Sequence, residues 1–275
     1  MTKGGLGILA ALCAAACVAG TARADAPADA NVAANAAIFD GAGVFIDNVG
    51  NFPGPAGLAT ELEKAHFSWV AFHAHNGSWA SYGVNPDWVA VMRAHGLKVG
   101  LWGWEDGAPW LAAQLAAFEV RISGADFYIA DAEWDYLRAR HSAAWYRSKI
   151  FATTFRRYEP TLPAALTTFG AADAPWVLPI DFASWRNNDF DLLPQAYYNQ
   201  FPKVDRPDLT VAHAKRAGWP VSRVHPVVGV YHHYPAARYV PLLQAAGTTG
   251  YSVFVGDQAT YADYDALSVL NARTP

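Results

Sequence analysis

Residues 85–104, NPDWVAVMRAHGLKVGLWGW, hold one complete structural unit. Asn85 is placed to cap a helix, Pro86 suits its first turn, and Gly96 suits its end. The apolar run Val99 to Trp104 then predicts a strand. The same alternation recurs along the chain. Further strands are predicted at Val44–Asp47, Trp69–His73, Phe127–Asp131, Ala164–Phe169, Leu192–Tyr197, Val227–Tyr231 and Tyr251–Val255. Helices are predicted at Ala56–Ala65, Pro109–Ile122, His141–Tyr158, Asp208–Ala217, Ala236–Ala246 and Tyr261–Ala272, with a short one within Pro179–Asn187. Eight strand–helix units in about 250 residues predict an α/β chain folded as a single-domain (β/α)8 TIM barrel over residues 42–275. A doubly wound open sheet is the alternative, but its Gly-rich phosphate turn is missing after the first strand.

Lys3, the apolar run Leu6–Gly20 and Ala22-Arg23-Ala24 form a secretory signal pattern over residues 1–24. The expected location is secreted or periplasmic. Ala14-Ala15-Ala16-Cys17 offers a lipoprotein alternative that lacks the usual Leu three residues before the cysteine. Both cysteines, Cys13 and Cys17, fall in this leader, so the fold must rest on its core rather than on disulfides. No later run is long and apolar enough to span a membrane. Residues 25–41, rich in Ala, Asp and Asn, are expected to form a loose linker. Net charge is −4 with 16% charged residues and no basic patch, which argues against a nucleic-acid partner. The 11 Trp, 13 Tyr and 14 Phe serve equally for a large aromatic core or for a groove that stacks on sugar rings.

Barrel chemistry collects at the C-terminal ends of the strands. Those ends carry Asp47, His73 and His75 (with Trp79 just beyond), Trp102, Trp104 and Glu105, Asp131 and Glu133, Gln195 and Tyr197, Tyr231 and His232, and Asp257. A single acid after a strand is as readily the cap of the next helix. Their convergence on one mouth is what favours a site.

The sharpest signal is FYIADAEWDY, residues 127–136. Alternate side chains on a strand share a face, so Asp131 and Glu133 would point the same way, about 7 Å apart at the backbone. Paired acids suit hydrolysis of a glycosidic bond. Glu133, beside Asp131 and Trp134, is placed to keep its proton and act as general acid/base. Asp131 would orient the substrate or stabilise positive charge. The competing reading makes Asp131 a satisfied barrel residue and Glu133 a surface loop residue.

The Asp-x-Glu of FYIADAE resembles the end of strand four in the glycoside hydrolase family 25 lysozymes. That resemblance extends to Asp47 in VFIDN, to Asp257 in VFVGDQ and to the helix–Gly–strand passage MRAHGLKVGLWGW. The same Asp-x-Glu is similar to the end of the acidic motif of family 18 chitinases. There the Glu is the acid, the Asp orients the substrate's N-acetyl group, and a Tyr on strand six assists, a place matched by Tyr197. This second resemblance implies that the acetamide is the nucleophile. Together they imply catalytic Glu133, Asp131, Asp47 and Tyr197. His73, His75, Trp102, Trp104, Glu105, Trp134, Gln195, Tyr231, His232 and Asp257 are expected to contact a carbohydrate substrate, possibly an N-acetylated cell-wall glycan.

Two other classes compete. His73-x-His75 resembles the metal-binding pair of amidohydrolase barrels, with His232 or His233 and Asp257 to complete the set. A non-catalytic glycan-binding barrel would use the same aromatics without cleavage. The preferred reading needs no organic cofactor and no metal, and expects a monomer.

Overall fold

The computed structural model describes residues 28–78, 80–81, 84–138, 141–198, 200, 205–231 and 234–271. The leader expected at 1–24 lies outside these residues, as do Trp79, His232 and His233. Eight parallel strands form a closed ring: β1 Ala42–Ile46, β2 Trp69–Asn76, β3 Lys98–Trp104, β4 Phe127–Asp131, β5 Ala164–Phe169, β6 Asp191–Ala196, β7 Val227–Gly229 and β8 Tyr251–Phe254. Each pairs with its sequence neighbour, and β1 closes the ring against both β2 and β8. The (β/α)8 barrel expected from the alternation is the observed fold.

Helices clothe the ring: α2 Pro55–Lys64, α3 Pro86–Ala94, α4 Pro109–Ser123, the short α5 Trp134–Leu137, α6 His141–Tyr158, α7 Phe182–Asn187, α8 Pro207–Arg216, α9 Val240–Ala246 and α10 Tyr261–Asn271. Asn85 caps α3 by accepting from Asp87 N–H at 2.9 Å. Strand alternation sorts the core into two layers. Phe45, Trp69, Ala71, Trp102, Phe127, Ile129, Ala165, Leu193 and Val227 fill the barrel. Val70, Phe72, Tyr128, Ala130, Leu166 and Leu192 face the helices.

The loose linker expected over residues 25–41 is corrected by a helix, α1, Ala28–Phe39, that closes the bottom of the barrel. Phe39 meets Trp69 and Phe127, the first residues of β2 and β4, edge-on at centroid distances of 5.9 and 5.5 Å. Asn35 is buried and ties the helix to three points. Its Nδ2 donates to Ala164 O at 3.1 Å, to Asp189 O at 2.7 Å and to Asp191 Oδ1 at 3.0 Å. Its Oδ1 accepts from Ala164 N–H at 2.9 Å. Asn is an indifferent helix former. Here its bonds to strand starts compensate, and an Ala-rich segment that reads as polar coil becomes a plug.

Candidate active site

β4 carries the site. Phe127, Ile129 and Asp131 alternate inward, and the apolar pair forms the floor on which Asp131 stands. Asp131 is 8% exposed. The strand ends there, although Ala132 N–H still donates to Thr167 O at 3.0 Å. Glu133 then opens α5 with its carboxyl turned to the same mouth. Gln195, on the inward face of β6, proves this. Its Nε2 donates a short hydrogen bond to Glu133 Oε1 and lies 3.4 Å from Asp131 Oδ1. The two acids thus reach one nitrogen from one lip of the barrel.

Burial raises both acids. Asp131 is pushed well above the ordinary carboxyl range by desolvation first, then by Glu133 and Glu105. Glu133 is raised by desolvation, while its bond from Gln195 pulls the other way. Two acids this close titrate as a pair. Each acid therefore favours its protonated form more than a free carboxyl does.

Aromatic rings wall the mouth. Tyr197 lies over Phe254 (5.7 Å, 25°) and edge-on to Tyr231 (5.5 Å, 88°). Its phenol is raised by burial and then by the two carboxyls. On the opposite wall His73 stacks on Trp102 at 3.9 Å and 8°. Trp102 Nε1 donates to Ile46 O at 3.1 Å, and by alternation Trp104 shares its side, in register with Asp131. Trp134, 54% exposed, stands outside the mouth beside Glu133. It stacks on Trp176 (5.5 Å, 13°) and meets Phe169 edge-on. Trp176, 47% exposed, was not anticipated. It sits in the loop after β5, where no periodicity points to it, and only its place after a barrel strand end could have raised it.

Several expected residues fall elsewhere. Asp47 lies just past β1, half exposed, with Oδ1 2.7 Å from His73 Nδ1. His73 lowers its pKa, so an ionised Asp47 has no proton to give. Asp257 supports the rim by accepting from Asp47 N–H at 2.9 Å and from Asn51 Nδ2 at 2.8 Å.

Glu105 is not a substrate contact. It is 1% exposed, behind the wall, with Oε1 2.8 Å from Tyr128 Oη. Nor does His75 face the mouth. Two steps along β2, from His73 to His75, are matched by one along β3, from Trp102 to Gly103. This bulge turns His75 outward. There it is fully buried, with Nδ1 2.9 Å from Gly77 O and Nε2 2.8 Å from Tyr128 Oη. Gly103 has to be glycine, because a β-carbon would overlap the His75 ring. The His-x-His metal reading fails on this bulge, since the two rings occupy opposite faces. Among the described residues no three His, Cys, Asp or Glu gather to hold a metal ion. His232 lies outside the described residues.

No protein family model matches the chain, and no curated relative matches it. Solved structures share its fold. A family GH18 chitinase from Cycas revoluta, in complex with allosamidin, superposes with a TM-score of 0.64 at 10% identity over 84% of this chain and 99% of that one. The GH18 chitinase ChiB from the chitin utilization locus of Flavobacterium johnsoniae gives 0.60 at 13% identity, over 84% and 93%. The Bacillus cereus spore cortex-lytic enzyme SleL gives 0.59 at 9% identity, over 84% and 74%. At these identities the likeness establishes the barrel fold. A family 25 relationship is not shown.

Proposed function

We propose that this chain is an exported glycoside hydrolase that cuts an N-acetylated glycan, with Glu133 as general acid/base, Asp131 as the group that orients the acetamide and Tyr197 as its hydrogen-bond partner. One observation carries the reading. Two buried acids with raised pKa values share a single Gln195 donor in an aromatic-walled barrel mouth. Support also comes from the chitinase and cortex-lytic barrels that share the fold. The leader-like pattern at residues 1–24 supports export, and no helix among the described residues is long and apolar enough to cross a membrane.

The geometry favours substrate assistance over a two-carboxylate displacement. Asp131 stands beside Glu133, not across a sugar ring from it, so it is poorly placed to attack or to activate water from the far face. In the proposed sequence an acetamide N–H donates to Asp131, which stabilises the Asp131 anion. That anion raises the affinity of Glu133 for the proton by like-charge repulsion. Substrate binding thereby favours a proton on the acid that needs it. Glu133 gives the proton to the glycosidic oxygen as the C1–O bond breaks, and the acetamide carbonyl oxygen bonds to C1. Glu133, now ionised, takes a proton from water, whose oxygen attacks C1 and reopens the ring formed by the acetamide.

The test is release of reducing ends from chitin oligomers and from peptidoglycan by wild type and by Glu133→Gln. The reading expects a loss of at least about a thousandfold, the scale of a missing proton donor. Unchanged hydrolysis in the variant overturns the assignment of Glu133. Binding without any cleavage by wild type would instead favour the glycan-binding barrel, for which the exposed Trp134–Trp176 pair is the specific motive.

A further inference from the structure

α4 is apolar on both sides. Its inner face is nearly all alanine, with Ala112, Ala113, Ala116 and Ala117 buried. Its outer face carries Leu111, Leu115, Phe118 and Ile122. Leu111, Phe118 and Ile122 are 50%, 46% and 60% exposed, and Leu115 is half-buried. A surface helix ordinarily turns charge to solvent. Across its 15 residues α4 has two charged side chains, and one of them, Glu119, is buried. The other, Arg121, is paired with Glu159. With exposed Trp110 beside it, the stripe leaves about 500 Å2 of apolar surface uncovered, the size of the largest patches on soluble monomers, which are often functional.

The spacing of the stripe says what covers it. Steps of four, three and four residues form the a/d seam of a helix that pairs with another helix. Those steps read the same from either end. A second α4 running antiparallel therefore meets the first in register: Leu111 lies against the partner's Ile122, and Leu115 against the partner's Phe118. Antiparallel alignment also opposes the two helix dipoles and keeps Arg121 of each chain at the far end from its copy. A parallel pair would set the two arginines side by side. The flank towards α6 is polar and already satisfied, with Gln114 Nε2 donating to Tyr158 Oη at 2.7 Å and Arg121 held by Glu159. An anionic membrane is the other surface that accepts an apolar stripe. It calls for a row of cations beside the stripe, and α4 offers Arg121 alone.

We infer that the outer face of α4 is a homodimer interface, in which the helix packs antiparallel on its own copy about a two-fold axis between Leu115 and Phe118. The contact is isologous, because each chain offers the same patch to the other. Pairing the two stripes and their polar flanks buries about 1,300 Å2 in total, in the lower part of the range for specific interfaces. An interface of that size holds with a Kd of about 1–10 µM. α4 starts beside the mouth, just after the C-terminal end of β3. Antiparallel pairing thus turns the two mouths towards opposite ends of the dimer and leaves both open. The dimer replaces the monomer expected from the sequence and is independent of the chemistry at Glu133.

Sedimentation equilibrium of the full chain from about 1 to 100 µM is the test. Wild type should pass from monomer to dimer across that range. Phe118→Glu puts a charge beside the two-fold axis and should weaken the dimer by at least about thirtyfold. Because the position is exposed, its melting temperature should stay within about 3 °C of wild type. Leu111→Lys should weaken the dimer as well. Leu111→Lys combined with Ile122→Glu should restore it, since the antiparallel register sets each new Lys against a new Glu of the other chain. Wild type that stays monomeric at about 100 µM overturns the inference. If that monomer also binds vesicles of anionic lipid, the stripe belongs to a membrane instead. A dimer that survives Phe118→Glu overturns it too, as does a double variant that associates no better than Leu111→Lys alone.

Discussion

The phenol oxygen of Tyr128 lies 2.8 Å from Nε2 of His75, on the outer wall of the barrel, and 2.8 Å from Oε1 of Glu105. Donor counting limits what this can mean. A phenol has one proton to give. Gly77 O can only accept, so His75 Nδ1 carries a hydrogen. If Tyr128 donates to Glu105, Nε2 must also carry one, and the cluster is an imidazolium–carboxylate pair. If Tyr128 donates to His75, Glu105 must hold a proton and donate it to Tyr128. The two forms differ by the shift of two protons along the chain. Burial selects the neutral one, because it lowers His75 to about 4 and raises Glu105 well above the ordinary carboxyl range.

Glu105→Gln should therefore be tolerated, since the Gln amide donates to Tyr128 as a protonated Glu105 does. A carboxyl raised by folding contributes stability below its unfolded pKa and loses that contribution as pH rises through the folded value. The melting temperature of wild type should fall towards alkaline pH more than that of the variant. His75 acts in the opposite direction: its lowered pKa costs stability as pH falls from about 6.5 to about 4. Melting curves between pH 4 and 9 check both limbs. A variant destabilised by several degrees at every pH would mean that Glu105 is ionised. Tyr128→Phe strands both neighbours and should cost about 2–4 kcal/mol.

Among the described residues Gln195 is the donor that both acids share, and its bond lowers the pKa of Glu133. Gln195→Leu keeps the bulk and removes the donor. Glu133 should then hold its proton to higher pH, so the alkaline limb of kcat against pH should move up. Activity at the optimum should fall by about ten- to a hundredfold as the acid loses its orientation. A fall in rate with an unmoved alkaline limb would show that Gln195 only shapes the cavity.

Trp176 adds a second indole to Trp134 beside the acids but touches neither of them in the contacts observed. On the proposed reading it holds substrate and does not carry out chemistry. Trp176→Ala should raise KM on a polymer by about fivefold, near 1 kcal/mol of stacking, with kcat preserved. Kinetics on polymer and on a short chromogenic substrate separate the cases. An equal loss on both would place Trp176 in the structure of the site.

What was legible in the chain follows from what periodicity encodes. Strand alternation in FYIAD sends Asp131 inward, and capping residues such as Asn85 mark helix starts, so the barrel and its central acid could be inferred. Glu133 reaches the mouth through the turn into α5, because the strand that alternation assumed ends two residues earlier. His75 was misplaced because a bulge leaves no trace in residue pattern. Glu105 was misplaced because an acid after a strand looks the same whether it turns to the mouth or to the wall. The plug helix stayed hidden because Asn31 and Asn35 look polar and are buried by partners more than a hundred residues away.

That plug gives the last prediction. Removing the Asn35 side chain leaves Ala164 N–H without its acceptor and takes a donor from Asp191, which is buried with Arg223 and His225. Asn35→Ala should cost about 3 kcal/mol, the penalty for stranding buried polar groups. Asn35→Asp should cost more. It keeps the acceptor for Ala164 N–H but sets a carboxylate against Asp191 and two carbonyl oxygens. Urea titrations of the three proteins at neutral pH give the comparison. A loss below about 0.5 kcal/mol for Asn35→Ala, the size of an ordinary surface change, would mean that α1 does not dock and that residues 28–39 behave as a linker after all.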